Sequence, residues 1–254
     1  MNPDKLPRPG QIVNFDKDYI RKTTHIASIE SARTLCIGFS EAEIDLYVAP
    51  LGPAPITALT LWEDHIDSRV TKYPLVIGDV TQRTDFPDGQ FDAVVTLSLL
   101  EHLTPLAGAI EEIYRVLRPE GYLFAAWGPA WSSAYGHHIY ERAGDPLFDF
   151  SAWRMPAHLH LLCSPEDIMG FYEANGYGRS GGQSALHWFY EAPHINRVMF
   201  EDYAELLKPR FQFLFQQHLY TPLPATHLRC LKERFPTYSD FTTYGANWIL
   251  RKCW

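Results

Sequence analysis

The chain has 254 residues, enough to bury a large core in one domain with insertions or in one domain plus a small cap. Its 30 acidic and 22 basic side chains leave a formal charge of -8. That balance argues against nucleic acid or a membrane surface as partner, since phosphate binding wants clustered Lys and Arg. Cys36, Cys163, Cys230 and Cys253 are far apart with no CxxC spacing, which suggests neither a zinc site nor a disulfide framework. No apolar stretch approaches the roughly 20 residues that span a bilayer.

In chain order, residues 1–32 are polar and contain proline, and read as an irregular arm with one helix. Met1-Asn2-Pro3-Asp4-Lys5 lacks the basic start and apolar core of a signal peptide, so a cytoplasmic location is expected. Thr34-Leu35-Cys36-Ile37-Gly38 is a short apolar run ending in glycine, a first strand. Glu41 to Leu51 reads as a helix closed by Gly52-Pro53, and the runs from Ile56 to Leu61 and from Tyr73 to Ile77 supply the next two strands. This βαβ spacing favours a parallel sheet with right-handed crossovers.

Phe91 to Leu97 is a mostly apolar run, broken by Asp92 and Thr96, the pattern of a strand whose two faces are both covered. It opens onto Ser98 and then Leu100-Glu101-His102. Ligands of open α/β sheets sit outside the carboxyl ends of such strands, so Ser98, Glu101 and His102 fall where chemistry is expected. Thr104 as N-cap, Pro105 in the first turn, and Leu106, Ile110, Ile113 and Leu117 at helical spacing predict a helix that Pro119 and Gly121 end. Tyr122 to Trp127 is the strand after it. Ser164-Pro165-Glu166-Asp167 has the form of a capping box, Asn175-Gly176 is a stop, and Ile168, Phe171 and Tyr172 mark the buried face between them. Residues 177–208 interrupt the alternation: they are rich in Gly, then in His, Trp and Tyr, and read as an inserted cap, helical from Asn196 to Leu207. The runs Phe211 to Phe215 and Asn247 to Arg251 are two late strands.

Three phrases at this spacing carry a family likeness: Gly78-Asp79-Val80, the stretch from Phe91 to Leu103, and Arg115-Val116-Leu117-Arg118-Pro119-Glu120-Gly121. Together they resemble the class I S-adenosylmethionine (SAM) dependent methyltransferases, from about Arg33 to Gly128. The resemblance implies an α/β fold: a seven-stranded, mostly parallel Rossmann-like sheet with helices on both faces, its last strand antiparallel. The domain would then run over 33–254, with the small inserted cap at about 177–208 and the arm of 1–32 before it. The resemblance also implies SAM as cofactor. Gly38 and Ser40 fall in the turn that holds its methionine moiety, Thr60 at the ribose position with Glu63 and Asp64 close by, Asp79 and Val80 at the adenine, and Ser98 at the start of the loop lining the methyl-transfer site. The turn is atypical, with one glycine, and Cys36 and Thr60 stand where acids are usual. Ser40 offers a hydroxyl there, and Glu41 and Glu43 offer charge to the sulfonium and amine.

Several residues carry two readings each. His102 is a candidate general base and Glu101 a substrate contact, or the two tie down the loop. The segment from Gly128 to Tyr140 packs Tyr135, His137, His138 and Tyr140 together just after a strand, a density of donors and bases suited to recognising and deprotonating a small substrate. Adjacent side chains point differently, so one of His137 and His138 lines a pocket and the other is structural. His158 and His160, two apart, share one face if the segment is extended, and read as a substrate clamp in preference to a metal site. Arg197 in the cap suits a substrate carboxylate or phosphate. Trp188, Phe189 and Tyr190 either close over a substrate or pack the cap, and Trp62 and Trp127 read as ring packing. With 11 His, 7 Trp and 14 Tyr, a pocket for a small polar or aromatic ligand is expected. The expected function is methylation of a small-molecule metabolite. A SAM-using cyclisation or elimination, and a non-catalytic partner protein, are the alternatives.

Overall fold

In a parallel sheet covered on both faces, every side chain of a central strand is buried, which is why the apolar runs of this sequence become neighbouring strands. In the computed structural model, which describes residues 1–9, 12–13, 18–61 and 72–254, β1 (Thr34–Ile37) is buried along its whole length. β2 (Ile56–Thr60) and β4 (Phe91–Leu97) are buried along most of theirs. With β3 (Leu75–Ile77), β5 (Leu117–Trp127), β6 (Phe211–Tyr220) and β7 (Thr243–Lys252) they form one seven-stranded sheet in the order β3-β2-β1-β4-β5-β7-β6. β1 to β5 pair in parallel and β7 runs antiparallel to β5, the mostly parallel α/β sheet that the sequence implied.

The chain divides into two compact units. One comprises Phe15–Gly128, Ala204–Gln217 and Ala246–Trp254. Its core takes Ala58, Cys36, Val95, Phe124 and Ile249, one residue from each of five successive strands of the sheet, together with Tyr19 and Ile20 of α1 (Tyr19–Lys22). The helix read from Glu41 to Leu51 is helical throughout but irregular: α2 (Glu41–Glu43) passes into a π turn at Ile44–Val48 and a 3-10 turn at Ala49–Leu51. α3 (Leu106–Val116) starts later than expected. Thr104 does not cap it; Pro105 occupies the N-cap in an extended conformation. Leu117, read as helical, opens β5 opposite Phe91, and the register shift between Phe91 and Ala93 takes up Arg118 to Gly121.

The other unit comprises Met1–Asn14, Pro129–Tyr203 and His218–Gly245. It contains α4 (Leu159–Leu162), α5 (Pro165–Ala174), α6 (Gly178–Tyr190), the start of α7 (Phe200–Leu207) and α8 (Ala225–Arg234). Phe148, Ile168, Tyr172, Ala185, Phe189, Leu231 and Phe241 are among its buried core. α5 opens on the Ser164–Asp167 capping box and stops at Asn175, with Gly176 at φ +86°, as its sequence signals require. α6 was not legible as a helix because of its glycines. Gly182 allows α6 to approach α5 closely, since a Cβ there would meet Met169 Cα at 2.9 Å. Among the described residues no helix is long and apolar enough to cross a membrane, and no group of three or more His, Cys, Asp or Glu is arranged to hold a metal ion.

Candidate functional site

Backbone hydrogen bonds from Gly38 N–H to Leu59, from Gly78 N–H to Thr60 and from Ser98 N–H to Ala126, 2.8 to 2.9 Å long, tie the carboxyl ends of β1 and β3 to β2 and that of β4 to β5. Gly38 leaves β1 at φ +77°, a conformation L side chains rarely adopt, and a Cβ there would meet Leu99 Cδ1 at 3.0 Å. Beyond it the expected ligand contacts are engaged within the protein. Glu43 accepts from Ser40 N–H at 2.9 Å and from its hydroxyl at 2.8 Å, the capping box that starts α2. Glu41 accepts from Lys72 N–H at 2.9 Å. The charge and hydroxyl read as facing a sulfonium therefore hold the local chain together.

Thr60 ends β2 with its side chain buried. Trp62, Glu63 and Asp64 lie outside the described residues. Cys36 is buried in β1, where desolvation pushes its thiol up to about 12 and keeps it unreactive. After β3, Asp79 Oδ1 accepts from the N–H and the hydroxyl of Thr81, both at 2.8 Å. This local turn sets the carboxylate's orientation and leaves Oδ2 unused by it. Gly108 of α3 lies against the same turn, since a Cβ would meet Thr81 O at 2.5 Å. Val80 beside it is buried.

The chain leaves β4 through Ser98 at φ +50°, uncommon for a non-glycine residue, and makes a 3-10 turn at Leu100–His102. Glu101 has no exposed surface, and neither carboxylate oxygen has a hydrogen-bond partner among the described residues. Burial pushes its carboxyl up to about 8, against the opposing pull of the nearby Glu101 and Gly128 amides. At neutral pH the group is thus mostly protonated. His102 is half-buried, its N–H bonded to Leu99 O at 2.8 Å. Trp127 packs edge-on against Trp248, 5.2 Å between centroids, within the core.

The remaining candidates belong to the unit that begins at Met1. His137 and His138 diverge as adjacency requires: His137 lies beside Phe189 and His160, and His138 beside Phe150 and His194. His158 and His160 are not in an extended segment. His158, at φ +57°, precedes α4 and His160 lies within it, yet their rings stack at 19° with centroids 6.3 Å apart. Nε2 of His158 is 3.0 Å from the carbonyls of Ser132 and Phe241, and Nδ1 is 3.0 Å from His227 Nε2. His227 was not singled out from the sequence, because a partner 69 positions away leaves no spacing signal. Tyr135 is buried with its hydroxyl donating to Pro9 O at 3.2 Å, whereas Tyr140 is exposed. Arg197, expected to hold a substrate anion, donates to the carbonyls of Phe189 and Ala192 at 2.8 Å and of Ile195 at 3.3 Å, which makes it a brace for its own loop.

Residues 35–125 match the family described as a methyltransferase domain. No curated protein sequence matches the chain. Among solved structures, a SAM-dependent methyltransferase from Methanosarcina mazei is 19% identical with a TM-score of 0.51, over 91% of this chain and 96% of that one. A SAM-dependent methyltransferase from Archaeoglobus fulgidus is 15% identical with a TM-score of 0.50, over 93% and 94% of the two chains. The cyclase SpnF is 16% identical with a TM-score of 0.50, over 92% and 80%. At these identities the likeness is one of fold. Residues 35–125 thus match a methyltransferase domain, and the chain shares the seven-stranded α/β fold of these SAM-dependent methyltransferases.

Proposed function

We propose that this protein transfers a methyl group from SAM to a small molecule by in-line displacement. The observation that carries the reading is Glu101, a fully buried carboxyl with no side-chain hydrogen-bond partner among the described residues, in the turn after the fourth strand. Such a group is destabilising unless something meets it, and a ligand polar group there would do so.

The residues at this edge fit the cofactor. Gly38 has no Cβ to hold a ligand away from the backbone, Asp79 keeps Oδ2 for an exocyclic amine, and Val80 offers apolar cover. Bound SAM supplies an electrophilic methyl group. His102 would take the proton of the attacking atom, and Glu101, protonated near neutral pH, would donate to the acceptor molecule and orient it. Most of the acceleration would come from position and orientation. The charge of -8 supports a small-molecule acceptor over a nucleic acid, and a cytoplasmic location belongs to the same reading.

The Ser40–Glu43 capping box and the buried Thr60 favour a second reading, in which SAM is used for a non-methylating reaction or not bound at all. SpnF, named a cyclase, shares the fold. Calorimetry with SAM and S-adenosylhomocysteine separates these. Binding plus methylation across a metabolite panel supports the first reading, and binding without methylation supports the cyclase-like one. No binding at millimolar ligand removes both enzymatic readings.

A further inference from the structure

His137 and His160 stand side by side in the unit that begins at Met1, their ring centroids 5.5 Å apart and their planes at 76°. Each ring is fixed by one backbone contact, and that contact settles its tautomer. The N–H of Ile139 donates to His137 Nδ1 at 3.2 Å, so the neutral ring carries its proton on Nε2. His160 Nε2 lies 2.8 Å from Trp131 O, which can only accept, so the proton is on Nε2 and Nδ1 keeps a lone pair. The outcome is a donor on His137 and an acceptor on His160. Both atoms are buried, and neither has a hydrogen-bond partner among the described residues.

Buried polar atoms are nearly always satisfied, and these neighbouring rings offer one donor and one acceptor, the complement that a single hydroxyl carries. Its surroundings are aromatic. Trp131 packs 4.4 Å from His160, and Phe189 lies 4.8 Å from His137 and 6.5 Å from His160. Apolar walls with a few oriented polar atoms are the usual make-up of a small-molecule site. Four residues of the same unit, His138, Trp153, His158 and Arg197, hold left-handed backbone conformations without being glycine. Strain of this kind gathers at ligand clamps.

The two orphan atoms select by chemistry. A carboxylate or phosphate offers only lone pairs, which suit His137 and oppose Nδ1 of His160. An ammonium offers only donors and fails at His137. A metal ion needs a lone pair on both nitrogens, and that of His137 is protonated. A hydroxyl accepts with its oxygen and donates with its hydrogen. We propose that His137 and His160 form a binding site for one hydroxyl group of a neutral small-molecule alcohol. Burial holds both rings neutral, His160 at about 4 and His137 well below its ordinary value, so these roles persist across physiological pH. The site is independent of whether the sheet edge transfers methyl groups, and its test contains no SAM.

The test is long-range proton–nitrogen NMR of the full chain labelled with 15N-histidine, which reports each ring nitrogen separately. Glycerol and ethanol serve as hydroxyl probes, acetate and methylammonium as anion and cation controls. The expected result is a saturable shift of His160 Nδ1 and His137 Nε2 with at least one alcohol and with neither control. Affinity should be about tenfold lower or worse in His160→Phe, the loss expected when one buried hydrogen bond is removed. The wild-type titration stands alone if that variant does not fold. No saturable response to either alcohol, as when a buried water or a direct contact between the rings already meets both atoms, would overturn the proposal. So would an equal response to acetate, or an unchanged affinity in a folded His160→Phe.

Discussion

His227 donates its Nε2–H to Nδ1 of His158 across 3.0 Å, because Nε2–H of His158 is already shared between the carbonyls of Ser132 and Phe241. Both carbonyls only accept, so His158 is locked as a neutral tautomer with every ring nitrogen used. Burial pushes His158 and His137 well below their ordinary values and His160 to about 4.

These groups predict acid sensitivity. In the unfolded chain an imidazole takes up a proton near pH 6.5, whereas in the folded chain these three do so only at lower pH. The unfolded state therefore binds more protons below about pH 6.5, and stability falls as pH falls through that window. His160 alone accounts for about 3 kcal/mol between pH 6.5 and 4. Urea midpoints across this range should drop steeply in the wild type and less steeply in His160→Gln. A flat wild-type profile would refute the burial of neutral imidazoles.

Glu101 predicts the opposite slope. Its folded pKa is raised, so its contribution is fully present below its ordinary value near 4.5 and is lost as pH rises toward 8. Glu101→Gln mimics the protonated carboxyl and should be more stable than the wild type by about 4 kcal/mol at pH 8, with no difference near pH 4. Denaturant titrations without ligand at the two pH values check this. Equal stability at both would show that Glu101 is solvated.

Asp79→Asn is the sharp test of the adenine position. Asparagine keeps an oxygen for the Thr81 turn, 2.8 Å from its N–H and hydroxyl, and replaces Oδ2 by a donor. Melting temperature should hold while SAM affinity, read by calorimetry, falls about tenfold or more, the loss of one hydrogen bond turned repulsive. Unchanged affinity would place the adenine elsewhere.

The limits of the sequence reading follow from what a pattern can carry. β1, β2 and β4 were visible because two covered faces leave few polar positions in the run, Asp92 and the threonines apart. The Ser164–Asp167 box and the Asn175-Gly176 stop were visible because their geometry is local. α6 was hidden, since Gly178, Gly181 and Gly182 read as loop while Gly182 in fact permits a close helix contact. Ser40, Glu41, Glu43 and Arg197 have the chemistry of ligand contacts, but each finds a partner in the protein, and Lys72, Phe189 and Ala192 are not announced by spacing. His158 was read on the wrong backbone, extended where the chain turns into a helix.

Glu112 anchors a second polar network in the sheet-bearing unit. It accepts from Arg115 at 2.6 and 2.8 Å and from Thr84 N–H at 2.9 Å, while Arg115 also donates to Phe86 O at 2.7 Å. Glu112→Ala removes an acceptor from Arg115 and from Thr84, leaves Arg115 with Asp88 at 2.6 Å and the Phe86 carbonyl, and should destabilise by roughly 2 kcal/mol, more than a surface pair would. Chemical denaturation measures it, and a loss below about 1 kcal/mol would class the network as a surface one.

Gly38 and Leu99 belong to the turns after β1 and β4, and a leucine methyl lies 3.0 Å from where a side chain at 38 would begin. The two turns consequently have a joint shape. Any heavier residue at 38 has to hold φ +77° and push the Leu99 methyl aside by a few tenths of an ångström. Because the backbone strain does not depend on position 99, glycine is expected at 38 in related sequences whatever residue stands at 99. An engineer placing a side chain at 38 would meet the backbone strain first and the Leu99 methyl second.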